Sequence, residues 1–106
     1  MYATLKRRSD FKAVYEKHKR FSGRHFILLV NPKIEEIPTI GIVASRKVGN
    51  AVCRNLIKRR VRAFLRENSP DISLNNRAIL IARSSTSGVG WLEFSDDLKA
   101  VFASVN

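Results

Sequence analysis

Residues 46–66 read RKVGNAVCRNLIKRRVRAFLR, with eight basic side chains and no acidic one. Gly49 and Asn50 are typical of residues that come just before a helix. The segment therefore predicts one amphipathic helix that opens there and ends near Asn68. At about 100° per residue, the basic side chains gather on one arc of this helix. That arc carries Arg54, Asn55, Lys58, Arg59, Arg62 and Arg66.

The other side of the predicted helix is apolar and should pack on a sheet. It carries Val52, Leu56, Ile57, Val61, Ala63 and Phe64. Arg60 lies near the centre of this apolar arc, and we expect it to reach past the edge of the core on its methylene stem. The basic arc has no Asp or Glu at helical spacing, so repulsion among its cations stays uncompensated until a partner supplies negative charge. The pattern favours a nucleic acid partner over a merely solvated surface.

Composition limits the remaining possibilities. The 106 residues carry a net charge of +11 and are 44% hydrophobic, which predicts one domain over residues 1–106 around a single core. This charge indicates nucleic acid first, an anionic membrane surface second and acidic proteins third. The longest apolar run, residues 26–30, is far shorter than the roughly 20 residues of a membrane span, and no secretory signal is visible. Cys53 is the single cysteine, which fits a reducing cytoplasm.

The rest of the chain predicts short elements on both sides of the basic helix. We expect a first helix with Ser9 as its N-cap that ends near His18. The predicted strands are His25–Asn31, stopped by Pro32, then Thr39–Arg46, in which Gly41 allows a close backbone approach, and Arg77–Ala82. A last helix is predicted over Trp91–Val105. The order α-β-β-α-β-α predicts an α/β (α+β) two-layer sandwich.

No active site of the protein's own is evident. Glu35 and Glu36 lie in a loop between prolines, and the paired Asp96 and Asp97 lie in the least basic region. The two histidines and Cys53 have no recognisable zinc spacing. We therefore expect no catalytic residue and no metal site in the protein.

The basic segment closely resembles the signature of the bacterial ribonuclease P protein family. Residues 45–52 read SRKVGNAV and are followed by Arg54-Asn55, Lys58-Arg59 and Arg62. Other matching features are Asp10-Phe11 with Val14-Tyr15, the run Arg24-His25-Phe26, and residues 79–83 before a Ser-rich loop. Two positions depart from the family pattern: Leu56 stands where a basic residue is frequent, and Leu29 where an aromatic one is frequent.

The resemblance implies an RNA-binding subunit of an endonuclease whose chemistry is carried by RNA. Its partners would be the ribonuclease P catalytic RNA and the 5′ leader of precursor tRNA, with no membrane or DNA involved. The protein alone would bind no cofactor, and Mg²⁺ would be held through the RNA. The family fold also implies a left-handed crossover around the basic helix, against the usual right-handed rule.

The resemblance also implies two binding surfaces. Contact with the catalytic RNA is expected from Arg46, Lys47, Asn50, Arg54, Asn55, Lys58, Arg59, Arg62 and Arg66. The leader would lie between the first helix and the sheet, where a basic groove with aromatic faces suits single-stranded RNA. Leader contacts are expected from Phe11, Lys12, Tyr15, Arg24 and Phe26, although Phe11 and Phe26 could equally be core residues. A structural RNA-binding protein of ribosomal type is the alternative, since fold and charge do not separate the two functions.

Overall fold

The computed structural model describes residues 2–68, 72 and 74–105. Within them, five strands form one sheet and three α-helices pack on it. The strands are β1 (Ala3–Thr4), β2 (Lys19–Ser22), β3 (Phe26–Ile34), β4 (Thr39–Ala44) and β5 (Asn76–Ala82). The helices are α1 (Arg8–Glu16), α2 (Ala51–Asn68) and α3 (Trp91–Ala103), with short 3-10 helices at Arg46–Val48 and Ser84–Thr86.

The strand order in the sheet is β1-β4-β5-β3-β2. Strand β3 pairs antiparallel with β2 and β5, whereas β4 pairs parallel with β5 and β1. The basic helix α2 is thus the crossover between two adjacent parallel strands, β4 and β5. The left-handed sense of that crossover stays a prediction.

The main core lies between one face of the sheet and helices α2 and α3. Ile57, Val61 and Phe64 of α2 meet the sheet there together with Phe94 and Leu98 of α3, and all five side chains are at most 4% exposed. Their regular spacing explains why these segments are helical, since residues three and four apart share one helix face.

The opposite face of the sheet is covered in part by α1. Val14 of α1 is fully buried against Leu29 of β3 and Ile79 of β5. The predicted close approach at Gly41 is confirmed, because a Cβ there would lie 2.6 Å from the ring of Phe11. The mixed α/β class is confirmed, and α1 adds a further layer to the two that we predicted.

Helix α1 is fixed at both ends by polar contacts. The guanidinium of Arg77 on β5 donates to Asp10 Oδ1 at 3.1 Å and to Glu35 Oε1 at 2.8 Å. At the other end, the buried Asn31 amide donates to the backbone carbonyls of Ala13 and Lys17, at 3.3 and 2.9 Å. The backbone amide of the C-cap residue Lys17 also donates to the Ala13 carbonyl, so Asn31 adds a second hydrogen bond there and provides a donor for the Lys17 carbonyl just after the helix.

Several predicted boundaries are wrong. Helix α1 begins at Arg8 with Arg7 as its N-cap, so Ser9 lies inside the helix and does not cap it. Strand β3 continues through Pro32 to Ile34. Its pairing with β5 shifts register between Val30 and Ile34. Because of this shift, the strand does not need an amide hydrogen at the proline. Strand β4 ends at Ala44, since the chain turns into a 3-10 helix at Arg46. Strands β1 and β2 were not predicted.

Candidate nucleic-acid interface

The start of α2 is built around Gly49 and Asn50. Gly49 has φ +150°, and a Cβ at this position would lie 3.0 Å from Cys53 Cβ, so the backbone here favours glycine. The side chain of Asn50 accepts a hydrogen bond from the Cys53 amide at 3.0 Å and thereby caps the helix. The preceding Val48 is 3% exposed and anchors the turn, which leaves Arg46 and Lys47 in solvent.

One side of α2 forms a cationic face, which we define as Arg54, Asn55, Lys58, Arg59, Arg62 and Arg66. Arg54 and Lys58 are half-buried and the other four side chains are exposed. The predicted apolar arc is correct from Ile57 onward, but Val52 and Leu56 are 75% and 42% exposed. The first residue of α2 that the core buries is Ile57, so the start of the helix projects into solvent.

The cationic face has no carboxylate of its own to neutralise it. The ion pairs formed within the described part of the chain involve Lys12, Arg24, His25 and Arg77, and none of them involves α2. Cations that have no carboxylate partner can neutralise phosphates without first breaking an ion pair within the protein.

Arg60 extends past the edge of the core, as expected. Its Nη1 donates to the carbonyl of Val89 at 2.8 Å, and its guanidinium lies 5.8 Å from the Phe94 ring centroid. A backbone acceptor and an aromatic face therefore satisfy this cation, which gives it a structural role apart from the cationic face.

A second surface, the α1 cleft, lies between α1 and the part of the sheet that α1 leaves uncovered. Strand register brings Val43, Ile81 and Ile27 side by side across β4, β5 and β3. These side chains are on the α1 side of the sheet and are half-buried. The cleft thus has an apolar floor with α1 as its wall, a shape suited to unpaired bases.

Three of the predicted leader contacts lie together on α1. Tyr15 is 46% exposed, and Lys12 is exposed with only a solvated pair to Glu16 at 3.8 Å. Phe11 is half-buried over Gly41. The structure therefore places one free aromatic ring and one cation on the wall of the cleft, with Phe11 shared between the cleft and the core.

The other two predicted leader contacts, Phe26 and Arg24, are not in the cleft. Phe26 is 0% exposed in the main core, with its ring edge-on to Phe94 at 5.1 Å, so no base can stack on it. Arg24 lies beside α3, where its guanidinium is 3.3 Å from Glu93. Both assignments are corrected, because the start of β3 is fastened to α3 on the opposite side of the sheet from α1.

The two surfaces meet at the edge of β4. A hollow of about 120 Å³ is lined on one side by Leu5 and Phe11 and on the other by Lys58 and Arg62. The α1 cleft and the cationic face are therefore neighbours, and a single RNA assembly can contact both.

Sequence reasoning missed two cations beside the cleft. Arg83 follows Ile81 by two residues in extended backbone, so its side chain leaves from the same face. Its Nε is buried without a hydrogen-bond partner among the described atoms. Arg20 of β2 pairs in register with Leu29, also on the α1 side. The alternation of side chains along β5 could have predicted that Arg83 lies on the same side of the sheet as Ile81. No pattern in the sequence indicated that β2 is a strand, so the side of the sheet that Arg20 occupies could not be predicted.

Three of the carboxylates have structural partners. Asp97 of α3 accepts hydrogen bonds from the backbone amides of Arg24 and His25, at 2.8 and 2.9 Å. Asp10 and Glu35 share Arg77. Within the described residues, no group of three or more His, Cys, Asp or Glu side chains could hold a metal ion, and no helix is long and apolar enough to cross a membrane.

Comparisons with known proteins give one consistent result. The family model for ribonuclease P matches residues 2–106. The ribonuclease P protein component of Microcystis aeruginosa is 36% identical over 107 residues, covering 96% of this chain and 89% of the relative. That of Listeria innocua is 35% identical over 95 residues, covering 89% of this chain and 80% of the relative.

Solved structures agree. The ribonuclease P protein of Thermotoga maritima superposes with a TM-score of 0.86 at 26% identity, covering 97% of each chain. That of Staphylococcus aureus superposes with a TM-score of 0.85 at 30% identity, covering 97% of this chain and 94% of that one. With the sequence motif, the fold and these matches in agreement, the chain belongs to the ribonuclease P protein family.

Proposed function

We propose that this chain binds both the catalytic RNA of ribonuclease P and the 5′ leader of precursor tRNA, and so assists removal of the leader. Membership in the family makes it a protein component of an endoribonuclease that acts in tRNA processing. The main support for binding of both RNAs is that two adjacent surfaces differ in chemistry. One surface is cationic, and the other is a cleft with an apolar floor.

The cationic face of α2 suits the catalytic RNA. Its charged groups repeat once or twice per helical turn, and no described carboxylate neutralises them. Each phosphate that such a cation neutralises releases a counterion, so the affinity falls steeply with salt. Arg46 and Lys47 extend this surface in front of the helix.

The α1 cleft suits the single-stranded leader. Bases can pack on the floor formed by Val43, Ile81 and Ile27 and stack on Tyr15, contacts that tolerate any base because every base has a π-face. Lys12 and Arg83 lie at the cleft to neutralise phosphates. The expected result is leader binding with little sequence preference.

The chemistry itself is assigned to the RNA. The carboxylates of Asp10, Glu35 and Asp97 are engaged by Arg77 or by backbone amides, so the described residues present no evident metal-binding set. Mg²⁺ is therefore expected to be held by RNA phosphates, and the protein to bind no cofactor by itself. A cytoplasmic location follows from the function in tRNA maturation.

Cleavage of a precursor tRNA at low Mg²⁺ tests this proposal. Bacterial ribonuclease P RNA is assayed with and without the protein, and a reaction with protein alone is included. Stimulation that requires the RNA is expected. Cleavage by protein alone would mean that the protein has its own active site. Tight RNA binding without stimulation would instead favour a structural RNA-binding protein.

A further inference from the structure

A pocket of about 380 Å³ opens at the edge of the sheet that β2 forms. Phe21 of β2 and Val30 of β3 form its floor, and Val105 closes it after α3. These three side chains pack against the main core, so the pocket opens on the α3 side of the sheet, whereas the α1 cleft opens on the other. Its volume is within the range of small-ligand sites, about 300 to 1,000 Å³.

The rim of this pocket is cationic. Lys17 and Lys19 are exposed there, and neither forms an ion pair with any described residue. Lys19 Nζ lies over the Phe21 ring, 5.9 Å from its centroid, so the cation rests on the aromatic face and would have to move toward a phosphate when a base stacks there. No acidic side chain of the described chain lines the pocket.

Two polar groups at the rim retain hydrogen-bonding capacity. His18 Nδ1 lies 2.9 Å from the Val14 carbonyl and 3.1 Å from that of Tyr15. Because carbonyls only accept, Nδ1 carries the hydrogen and Nε2 stays available. The Asn76 amide nitrogen donates to the carbonyls of Asn31 and Lys33, which leaves its Oδ1 as an acceptor.

We propose that this pocket binds one nucleotide, with the base on Phe21 and the phosphate between Lys17 and Lys19. A nucleotide matches every part of the lining: the base stacks on an aromatic face, its polar edge meets His18 and Asn76, and its phosphate meets two unpaired ammonium groups. The same contacts suit a free nucleotide and an unpaired residue of an RNA strand, and the two arms of the test distinguish these sources. The site goes beyond the proposed function, because it lies on the sheet face opposite the leader cleft.

The test is an NMR titration of the isotope-labelled full chain with uridine 5′-monophosphate. Uridine and inorganic phosphate are titrated separately, because each supplies only half of the proposed contacts. Amide shifts of Phe21, Val30 and Asn76 report on the pocket, and that of Val43, in the floor of the α1 cleft, reports on the leader cleft. A short oligouridylate is titrated in a parallel arm. The expected result is saturable shifts in the pocket residues, larger with the nucleotide than with uridine or phosphate at equal concentration.

Charge-matched variants make the assignment specific. Lys19→Gln should weaken the pocket response by about two- to fivefold, whereas Lys99→Gln, on the exposed side of α3, should not change it. Phe21→Leu should weaken it about fivefold or more by removing the stacking face. Each variant is compared with the parent chain at the Val43 amide, which reports on the leader cleft.

Each outcome bears directly on the site. Saturable shifts with the mononucleotide establish binding of a free nucleotide, and pocket shifts with the oligouridylate alone establish binding of a nucleotide within a strand. Absence of pocket shifts with both, or equal responses in Lys19→Gln and the parent chain, would overturn the proposal. Shifts at the Val43 amide do not count for the pocket, so failure of this site and failure of the leader cleft are distinguishable.

Discussion

Arg77 Nη1 donates to Asp10 Oδ1 at 3.1 Å and thereby ties β5 to the first turn of α1. The Arg77 and Asp10 side chains are 24% and 28% exposed, so water screens the pair only in part. Since α1 forms the wall of the α1 cleft, this pair and the Asn31 contacts at the other end of the helix set the width of the cleft before any RNA arrives.

Replacing Arg77 should loosen that wall. We expect Arg77→Met to lower the free energy of unfolding by roughly 1.5 to 3 kcal/mol, because it leaves Asp10 and Glu35 without their charged donor. Urea denaturation measures the change. The control is Lys12→Gln, whose pair with Glu16 is solvated and should contribute less than about 1 kcal/mol. Equal stability of the two variants would contradict the anchoring role of Arg77.

The glycine before α2 should be difficult to replace. Gly49→Ala puts a Cβ 3.0 Å from Cys53 Cβ at φ +150°, a backbone region that non-glycine residues avoid. A cost of about 1 to 3 kcal/mol is expected in thermal or urea unfolding. Gly90→Ala is the matched control, because φ is −68° there and nothing lies within 4 Å of the added Cβ. If both variants are equally stable, the conformational argument for Gly49 fails.

Cations of α2 should control the salt dependence of RNA binding. Arg54→Ala and Arg62→Ala should each weaken binding to the catalytic RNA and reduce the log–log salt slope by roughly 0.7 to 0.9 per lost phosphate contact. Filter binding across a series of salt concentrations gives the slope. Lys99→Ala removes the same charge from α3 and should leave the slope unchanged. An unchanged slope in both arginine variants would refute the assignment of this face to RNA.

The exposed ring on α1 should act on the leader alone. Tyr15→Ala should raise KM for precursor tRNA by roughly 5- to 150-fold, the equivalent of one lost base stack, while the affinity for the catalytic RNA stays the same. Tyr15→Phe keeps the aromatic ring on which a base can stack, so its KM for precursor tRNA should stay close to that of the parent chain. Steady-state cleavage of substrates with and without a leader makes the comparison. A similar KM change on leaderless substrate would count against the cleft.

The sequence predicted the parts of the fold that have strong local patterns. Helix α2 begins and ends as expected, since Asn50 caps it and apolar residues recur at helical spacing. Strand β2 was not predicted, because its sequence KRFS is short and charged. It is an edge strand that is held only by its pairing with β3. Strand β1 is two residues long and depends on β4, which is more than thirty positions away. Pairing over such distances leaves little trace in local composition.

Residue type and spacing predicted only part of the candidate site. Charge and spacing identified the cationic face, because every member lies on one helix. Phe11 and Phe26 look alike in the sequence, yet one lies on each side of the sheet. In the sequence Arg24 looks like an unpaired cation, but in the fold its guanidinium lies 3.3 Å from Glu93 of α3. Which side of a sheet a residue occupies depends on register and tertiary packing, and these were not available from a single sequence.

We propose two separate RNA contacts, in which α2 binds the catalytic RNA and the α1 cleft binds the leader. Site-directed crosslinking tests them most directly, using single cysteines in a Cys53→Ser background. Val52→Cys places a photoreactive probe beside the cationic face at a side chain that is 75% exposed. Glu16→Cys places one next to Tyr15 at a side chain that is 65% exposed. Neither substitution removes a proposed RNA contact.

The holoenzyme is irradiated with a precursor tRNA and, in parallel, with a leaderless one. We expect the probe at position 52 to crosslink to the catalytic RNA in both reactions. The probe at position 16 should crosslink to leader nucleotides and lose that product when the leader is absent. Crosslinks from position 52 to the leader, together with crosslinks from position 16 to the catalytic RNA alone, would show that the two surfaces are wrongly assigned.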